Sequence, residues 1–445
     1  MKPVRVIGAG LAGCEAAWQI ARLGVPVILS EMKPKRFSPA HKYPGFAELV
    51  CSNSLRSAQL SNAVGLLKEE MRRLGSLIIS AADKTQVPAG AALAVDRTAF
   101  SDLITARITS HPLITVSEEE VEAIPDDGVT VVATGPLTDG AMAQSVSDLF
   151  GGDELSFFDA VAPIVDASTV DTEIAYFASR YGKGDPTDYL NCPMTREEYD
   201  AFYDALLHAE TAPLHDFDAE AQKEPNVFEG CMPVEVMAKR GYDTLRYGPM
   251  KPIGLQNPAT GREPYAVVQL RRENAAGTAY NLVGFQTHLT FGEQKRVFGL
   301  IPGLQNASYF RYGVMHRNTY IHSPSRLTAQ YETVSRPGLF FAGQMTGVEG
   351  YVESASSGFV AGVSAALCAK GQAPIDFPAV TVIGSLGHYV SEGWIGKFQP
   401  MNASFGIISP LDKKVKGGKR ARNDEYAVRS LDAVSELRSK IFGDL

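Results

Sequence analysis

The N-terminal run Gly8-Ala9-Gly10-Leu11-Ala12-Gly13 has the glycine spacing of a loop that binds a pyrophosphate. In such a loop the first glycine allows a tight turn, the second lets the phosphates approach the backbone, and the third lets a helix pack closely on a strand. The free amides at the start of that helix then face the phosphates. Glu31, 18 residues after Gly13, is placed to accept hydrogen bonds from a ribose hydroxyl. These residues predict a dinucleotide-binding site.

The elements that must position this loop surround it. Val4-Arg5-Val6-Ile7 is a short apolar strand, residues 14–23 have apolar side chains at helical spacing, and residues 25–29 form a second strand. Gly24 stands where a left-handed helix cap is expected. Because a strand, a helix and an acidic residue all occur in the required order, a purely structural glycine turn is the less favoured interpretation.

Three features favour FAD over NAD as the bound dinucleotide. The loop lies at the extreme N-terminus, and the strand ending at Thr134-Gly135 resembles the segment that closes the FAD domain in flavoproteins with two dinucleotide folds. A late strand ends in Ala342-Gly343-Gln344 and leads to a helix near Ser354, whose N-terminus would stabilise a reduced flavin. Gly343 and Gln344 are therefore predicted to bind the cofactor. The sequence has no second complete glycine pattern for NADPH or NADH.

Five cysteines, at positions 14, 51, 192, 231 and 368, are further candidates for chemistry. Their odd number and scattered spacing favour free thiols over a disulfide framework, and no metal site is predicted. A thiolate can act as a covalent nucleophile, but a lone cysteine is more often a small buried hydrophobe. We interpret Cys14 and Cys368 in that way, and we place Cys192 in a polar loop before Pro193.

The composition is that of a soluble globular protein, with 445 residues, 45% hydrophobic and 21% charged, and a formal net charge of −8. It excludes a wholly disordered chain and a general polycation. The longest apolar stretch, residues 338–371, is interrupted by Glu349, Glu353 and Lys370, so no membrane span is expected. The protein is predicted to be cytoplasmic, and no obligate protein partner is evident.

The chain has α/β character at both ends and a different composition between them. Residues 156–314 are richer in Tyr, Phe, Pro and Asp, and strand-like runs there alternate with turns. We therefore predict an α/β fold with a Rossmann-like FAD-binding domain, formed by residues 1–155 and 315–445, and an inserted α+β domain at residues 156–314.

Four blocks of sequence are too particular to be structural coincidence. They are ELVCSNSLRS (48–57); EGCMPVEVMA (229–238) with GPMKP (248–252); VGFQTHL (283–289) with GEQKR (292–296); and MHRNT (315–319) with GQMTGVEGY (343–351). With the N-terminal loop, they closely resemble the folate- and FAD-dependent tRNA (uracil-5-)-methyltransferase family, TrmFO, over nearly the whole chain. The related flavoproteins that modify the wobble uridine of tRNA share the glycine-rich ends, so the cysteine blocks are the specific part.

The resemblance implies a flavoprotein that takes a methylene group from 5,10-methylenetetrahydrofolate. Electrons from NADPH or NADH pass through FAD, and the methyl group is placed on C5 of the T-loop uridine of tRNA to give ribothymidine. The resemblance also implies that Cys51 and Cys231 are catalytic. Because uracil C5 is a poor nucleophile, a thiolate adding at C6 would activate it. We hypothesise that Cys231 adds at C6 and that Cys51 transfers the C5 proton, although the two roles could be exchanged.

Two further sets of residues are candidates for substrate contacts. A flat side chain could stack on the pterin ring of the folate, and the candidates for this role are His288, His316 and Tyr351. A glycine-rich and flexible segment could follow the tRNA backbone, although a charge run is also a common solvated loop. Its basic residues are Lys413, Lys414, Lys416, Lys419, Arg420 and Arg422.

Three alternative functions stay open at this point. An NAD(P)H-dependent flavoprotein oxidoreductase acting on a small molecule would explain the glycine loops but leave Cys51, Cys231 and the basic segment without a role. A related flavoprotein acting on the wobble uridine would share the glycine-rich ends. From a different class, the chain could bind tRNA and keep FAD for structural reasons.

Overall fold

The computed structural model shows an α/β fold, as predicted, and describes residues 1–152, 154–182, 184–212, 232–393, 398–413 and 415–443. The side chains of residues 154–159, 316 and 317 also lie outside this description. The elements before residue 152 are β1 (Val4–Ile7), α1 (Leu11–Arg22), β2 (Val27–Glu31), β3 (Ser54–Ser57), α2 (Ala63–Leu74), α3 (Leu77–Lys84), β4 (Gln86–Val87), β5 (Ala92–Val95), α4 (Arg97–Thr109), β6 (Ile114–Glu118), β7 (Thr130–Val132) and α5 (Gly140–Phe150).

The remaining elements fall into two groups. The described residues between 154 and 321 form β8 (Glu154–Ala160), β9 (Ile164–Asp166), β10 (Tyr176–Phe177), β11 (Tyr189–Met194), α6 (Arg196–Leu207), α7 (Val234–Lys239), α8 (Thr244–Tyr247), β12 (Ala266–Arg272), β13 (Ala279–Leu282), α9 (Phe291–Phe298), β14 (Tyr309–Arg311) and β15 (Met315–Ile321). The last part contains β16 (Leu339–Phe341), α10 (Tyr351–Ala369), α11 (Val382–Glu392) and α12 (Gly418–Phe442).

A five-stranded parallel sheet, in the order β16-β7-β1-β2-β6, forms the centre of the fold. Strand β16 pairs with β7, which pairs in turn with the N-terminal strand β1, so segments from the first and last parts of the chain build one sheet. The strands are short and mostly apolar because helices cover this kind of sheet on both faces. In such sheets ligands bind at the carboxyl ends of the strands, which is where the glycine loop after β1 lies.

Helix α10 packs directly on α1 through small residues. A Cβ atom added at Gly358 would lie 2.2 Å from the carbonyl oxygen of Ala12, and one added at Gly362 would lie 2.7 Å from the Cα of Ala16. Only glycine therefore permits this close approach. Helix α10 is long and apolar enough to cross a membrane, because Glu353 lies within it whereas Glu349 and Lys370 lie just outside its ends. Instead it is buried inside the protein.

The inserted region contains a six-stranded antiparallel sheet in the order β10-β11-β12-β13-β9-β14, and β8 pairs with β15 beside it. The prediction that Cys192 lies in a polar loop is wrong, because Cys192 and Pro193 belong to β11 and Cys192 is fully buried. Within the described part of the chain, β10 pairs only with Asn191 and Leu190, so the outer side of β11 is unpaired at Pro193 and tolerates a residue without an N–H group.

The hydrophobic side chains form two large clusters. One joins residues from both chain ends around the parallel sheet, and the other lies within the inserted region. This distribution supports the boundaries near residues 155 and 314, which we keep as a proposal.

The predicted elements around the glycine loop are present with small shifts. The prediction of a flexible loop at 413–422 is wrong in part, because α12 begins at Gly418 and includes Lys419, Arg420 and Arg422. The buried stripe of this helix, which includes Val434 and Leu437, stabilises it in spite of its two N-terminal glycines.

Candidate functional site

The glycine loop after β1 has the geometry of a phosphate-binding turn. Gly8 has a φ angle of +97°, and a Cβ atom at Gly13 would lie 1.8 Å from the Gly8 carbonyl oxygen, so both positions require glycine. A Cβ atom at Gly10 would meet nothing within 4 Å, because this residue faces the open cleft described below. Helix α1 begins after Gly10 with no side-chain cap and no acidic residue in its first turn. Its first amides are therefore available to an anion.

A long cleft runs along the carboxyl ends of β1, β2 and β7. We call it the nucleotide cleft; it encloses about 1240 Å³, open mouth included, and its walls include Gly8, Gly10, Leu11, Ala12, Glu31, Gly343 and Gln344. Two of the predicted cofactor-binding residues, Ala9 and Gly13, support the loop from behind instead of lining the cleft. The Ala9 amide donates to Glu31 Oε2 at 2.7 Å.

Glu31 is buried at the end of β2, where its carboxylate is held in place by backbone amides. Besides Ala9, the amide of Lys33 donates to Glu31 Oε1 at 3.0 Å. A carboxylate has about four acceptor sites, so Glu31 keeps capacity for the hydroxyls of a ribose. The residues present thus fit a dinucleotide: a glycine cradle, a helix N-terminus and a fixed carboxylate.

Sequence reasoning missed several residues that also line the nucleotide cleft. Arg36 pairs with Asp139 across the cleft, with N–O distances of 2.8 and 2.7 Å. His41 lies 2.6 Å from the hydroxyl of Ser38, and burial, with a contribution from nearby Lys33, lowers the pKa of His41 to about 4. The histidine is therefore neutral at pH 7. These residues carry no motif, so only the folded chain shows that they meet the cleft.

A second cavity adjoins the nucleotide cleft and lies between the parallel sheet and the inserted region. We call it the central cavity; Val50, Pro136, Leu137, Gln344 and Tyr351 line both spaces, so the two are direct neighbours. Cys51 lines the central cavity. The predicted catalytic thiol therefore lies beside the predicted cofactor site.

Cys51 is hydrogen-bonded to Tyr351, the first residue of α10. The two side chains lie 2.9 Å apart, sulfur to hydroxyl oxygen. The amides of Cys51 and Ser52 also donate to the Tyr351 oxygen, at 2.7 and 3.2 Å. Burial raises the pKa of Tyr351 well above its ordinary value, and the Cys51 sulfur adds to this. Because Tyr351 keeps its proton and already accepts from two amides, its hydroxyl is set to donate to the sulfur.

Two partly buried arginines hold the backbone just before Cys51. Arg97 donates to the carbonyl oxygen of Leu49 at 2.7 Å, and Arg311 donates to that of Val50 at 2.7 Å. Burial lowers the pKa of Arg311, and the neighbouring Arg97 lowers it further. Glu273 already pairs with Arg97, whose Nε lies 2.5 Å from the Glu273 carboxylate. The Cys51 sulfur is also close to both arginines, and their positive charge favours its thiolate.

The other predicted site residues are placed as follows. Cys231 and Lys414 lie outside the described residues, as does the side chain of His316. His288 does not line either space; its amide donates to the buried carboxylate of Glu235 at 2.8 Å. The described basic residues of the 413–422 segment are exposed. Cys14 is fully buried and Cys368 is half-buried against the same core, in agreement with a packing role for both.

The comparisons with known proteins agree with this geometry. A family model described as glucose inhibited division protein A matches residues 3–373. The structure of Aquifex aeolicus GidA in the form I crystal has a TM-score of 0.69 at 18% identity, over 99% of this chain and 77% of that one. The form II crystal gives a TM-score of 0.68 at 19% identity, over 98% and 73%. At these identities the likeness shows the fold alone.

Sequence relatives are much closer. The methylenetetrahydrofolate–tRNA-(uracil-5-)-methyltransferase TrmFO of Lactobacillus delbrueckii subsp. bulgaricus is 57% identical over 441 residues, 99% of each chain. The enzyme with the same name from Acetivibrio thermocellus is 59% identical, over 98% of this chain and 99% of its own. The one from Lacticaseibacillus paracasei is also 59% identical, over 99% of this chain and 98% of its own. The chain therefore belongs to the glucose inhibited division protein A family and, within it, to the group of TrmFO proteins.

Proposed function

We propose that the protein acts as a methylenetetrahydrofolate-dependent tRNA (uracil-5-)-methyltransferase that forms ribothymidine in the T-loop. Full-length relatives at 57% and 59% identity carry that activity in their names. The structural observation that carries the proposal is the position of the Cys51 thiol, which lines the central cavity close to the nucleotide cleft. The alternative of a small-molecule oxidoreductase leaves this thiol without an assigned role, and none of these relatives is named for the wobble uridine.

FAD is the dinucleotide that fits the nucleotide cleft. Gly8, Gly10 and the first turn of α1 would hold its pyrophosphate, Glu31 its ribose, and Gly343 with Gln344 the far end of the molecule. When bound, FAD supplies the electrons that convert the methylene carbon into a methyl group. We propose NADPH or NADH as the source of these electrons and the cytoplasm, where tRNA is modified, as the location.

Cys51 acts as the base that removes the proton from uracil C5. Its sulfur lies against the Tyr351 hydroxyl, and Arg97 and Arg311 fix the two residues before it. A hydrogen bond donated to sulfur and two nearby cations all favour the thiolate, which is the form that accepts a proton. Tyr351 thus positions Cys51 and stabilises its thiolate. Because Tyr351 lines both the nucleotide cleft and the central cavity, it also stays a candidate for contact with the pterin.

Cys231 acts as the nucleophile at uracil C6. Addition of its thiolate to C6 places a negative charge on O4 and C5, and C5 then bonds to the one-carbon unit. Loss of the C5 proton to Cys51 expels the carrier nitrogen from the one-carbon unit and leaves an exocyclic methylene group at C5. The hydride equivalent that FAD would supply reduces this methylene to a methyl group, and expulsion of the Cys231 sulfur restores the C5–C6 double bond. His316 stays a candidate for the folate-stacking position. His288 stays a weaker one, because it lines neither the nucleotide cleft nor the central cavity.

The basic segment of residues 413–422 contacts the tRNA backbone. Lys413, Lys416 and the three basic residues at the start of α12 are exposed. The protein has a net charge of −8, so a local concentration of cations is needed to offset repulsion from a polyanion. The target uridine is unstacked from the T-loop to reach the central cavity, as in other enzymes that act on a base.

The function is tested by mass spectrometry of T-arm fragments. With unmodified tRNA, NADPH and 5,10-methylenetetrahydrofolate, we expect one uridine of the T-loop to gain about 14 Da, the mass of one CH₂ unit, because a methyl group replaces the C5 hydrogen. Omission of either small molecule should abolish the gain, and tRNA that already contains ribothymidine is the matched control. NADPH oxidation without methylated tRNA would favour the small-molecule oxidoreductase, and tRNA binding without either reaction would favour a binding protein.

Tyr351→Phe tests the hydrogen bond to Cys51. Loss of a hydrogen bond to a charged group costs roughly 1.5–3 kcal/mol, so the thiolate should form less readily and the acidic limb of the pH–rate profile should move up by about 1 pH unit or more. Tyr331→Phe is the matched control, because Tyr331 is fully buried and its hydroxyl has no hydrogen-bond partner among the described residues. An unchanged pH profile in Tyr351→Phe would contradict the proposed role.

Cys231→Ala tests the assignment of the nucleophile. The variant should form no covalent complex with tRNA that carries 5-fluorouridine at the target position, because the sulfur that adds at C6 is missing. Cys51→Ala should still form the complex, and Cys192→Ala, at a buried core position, is the control. Gel electrophoresis under denaturing conditions measures the complex, and its survival in Cys231→Ala would exchange the two roles or refute them.

Replacing the six basic residues of the 413–422 segment with glutamine tests the tRNA contact. The plot of log K against log salt concentration should become flatter by roughly 0.7–0.9 for each phosphate that the variant no longer neutralises, while FAD content stays unchanged. A control variant with the same change of charge replaces six exposed residues scattered over the surface: Lys2, Lys35, Lys84, Arg196, Lys370 and Lys440. Equal slopes in the parent and the segment variant would refute the contact.

A further inference from the structure

One wall of the central cavity has no part in the chemistry above. It is formed by the six-stranded sheet, where Arg271 on β12 and Asn281 on β13 are direct cross-strand partners. Cross-strand partners project from the same face of a sheet, and both residues line the central cavity. The sheet therefore presents two neighbouring polar side chains toward the space that contains Cys51.

Arg271 is hydrogen-bonded to the loop that carries Cys51. Its Nε donates to Asn53 Oδ1 at 3.0 Å, and its guanidinium also donates to the hydroxyl of Ser52 at 2.8 Å. These bonds fix the sheet wall relative to the thiol, because Ser52 is the residue next to Cys51. Asn281, which lies opposite Arg271, is thereby held at a fixed position in the same wall.

Asn281 differs from Arg271 in having an unused donor. It is 3% exposed, and its Nδ2 has no hydrogen-bond partner among the described residues. A buried polar group without a partner costs about 1–3 kcal/mol. Such a group in a native protein requires an explanation, and a bound ligand that accepts the bond is one.

Two other buried asparagines show what a structural asparagine does in this protein. The Nδ2 of Asn191 donates to three backbone carbonyls, at 3.0–3.2 Å. The Nδ2 of Asn53 donates to the carbonyls of Val95 and Arg272, at 3.0 and 2.8 Å. Both are fully buried and both are satisfied by the protein itself, whereas Asn281 is not.

We infer that Asn281 is a recognition residue for a heterocyclic lactam, the C(=O)–N–H unit that uracil and the pterin ring of folate share. A carboxamide offers one acceptor and two donors, which complement the carbonyl oxygen and the N–H group of a lactam. The cavity that Asn281 lines also contains Cys51 and Tyr351, so a lactam bound there lies in the same space as the thiol. This inference rests on the proposed function, because both heterocycles belong to its substrates.

Asn281→Asp is the main test, since it keeps the shape of the side chain and replaces the N–H donors with an acceptor. We would measure the Kd of T-arm stem-loops with uridine or cytidine at the target position, and the Kd of tetrahydrofolate. If uracil is the ligand, the preference for uridine over cytidine should fall by about 10- to 100-fold, because cytosine offers a donor where uracil offers an acceptor. If the pterin is the ligand, the affinity for tetrahydrofolate should fall by a similar factor.

Asn281→Ala removes the carboxamide without adding a charge and should change the same ligand's affinity in the same direction. Asn306→Asp, in an exposed loop of the inserted region, is the matched control. FAD content and melting temperature report whether each variant folds. Parent-like affinities for both probes in a folded Asn281 variant would overturn the inference. Because these are binding measurements, a parent protein that binds both probes without forming ribothymidine would count against the proposed function alone.

Discussion

The loop around Cys51 is held by charged side chains from both parts of the chain, and the rest of the site depends on that constraint. Arg97, on α4, lies with its Nε 2.5 Å from a carboxylate oxygen of Glu273 in the inserted region, while Arg311 reaches the loop from β14. A buried charge that loses its partner is strongly unfavourable, so these contacts resist separation of the two parts. The same two arginines thus join these two parts of the chain and place positive charge near the thiol.

Helix α10 connects this thiol to the nucleotide cleft. Its first residue, Tyr351, touches Cys51, while Gly358 and Gly362, two and three turns later, allow its backbone to lie against α1. Helix α1 in turn begins at the glycine loop. Since helices are stiff over this length and the contact leaves no room for a side chain, α10 fixes the position of Tyr351, the partner of the sulfur, relative to the phosphate-binding turn.

Prediction from the sequence succeeded where the whole pattern lies within a short stretch of the chain. The strand, glycine loop, helix and Glu31 could be predicted because all lie within about thirty residues and each has its own pattern. Arg271 and Asn281 could not, because their role comes from the pairing of β12 with β13 and from bonds to Asn53, more than 200 residues away. The start of α12 was mistaken for a loop because glycines indicate one locally, whereas packing of its later residues decides the matter.

The basic start of α12 is an unfavourable arrangement for the helix itself. Lys419, Arg420 and Arg422 lie near its N-terminus, where the helix dipole favours anions, and no acidic residue occurs in the first turn. The helix is held from its middle instead, since Ser430 donates to the buried carboxylate of Glu70, which also accepts from two amides at the start of α11. Because these charges destabilise the start of the helix, a bound anion explains their presence better than a contribution to folding stability does. A phosphate backbone would remove the repulsion and align with the dipole at the same time.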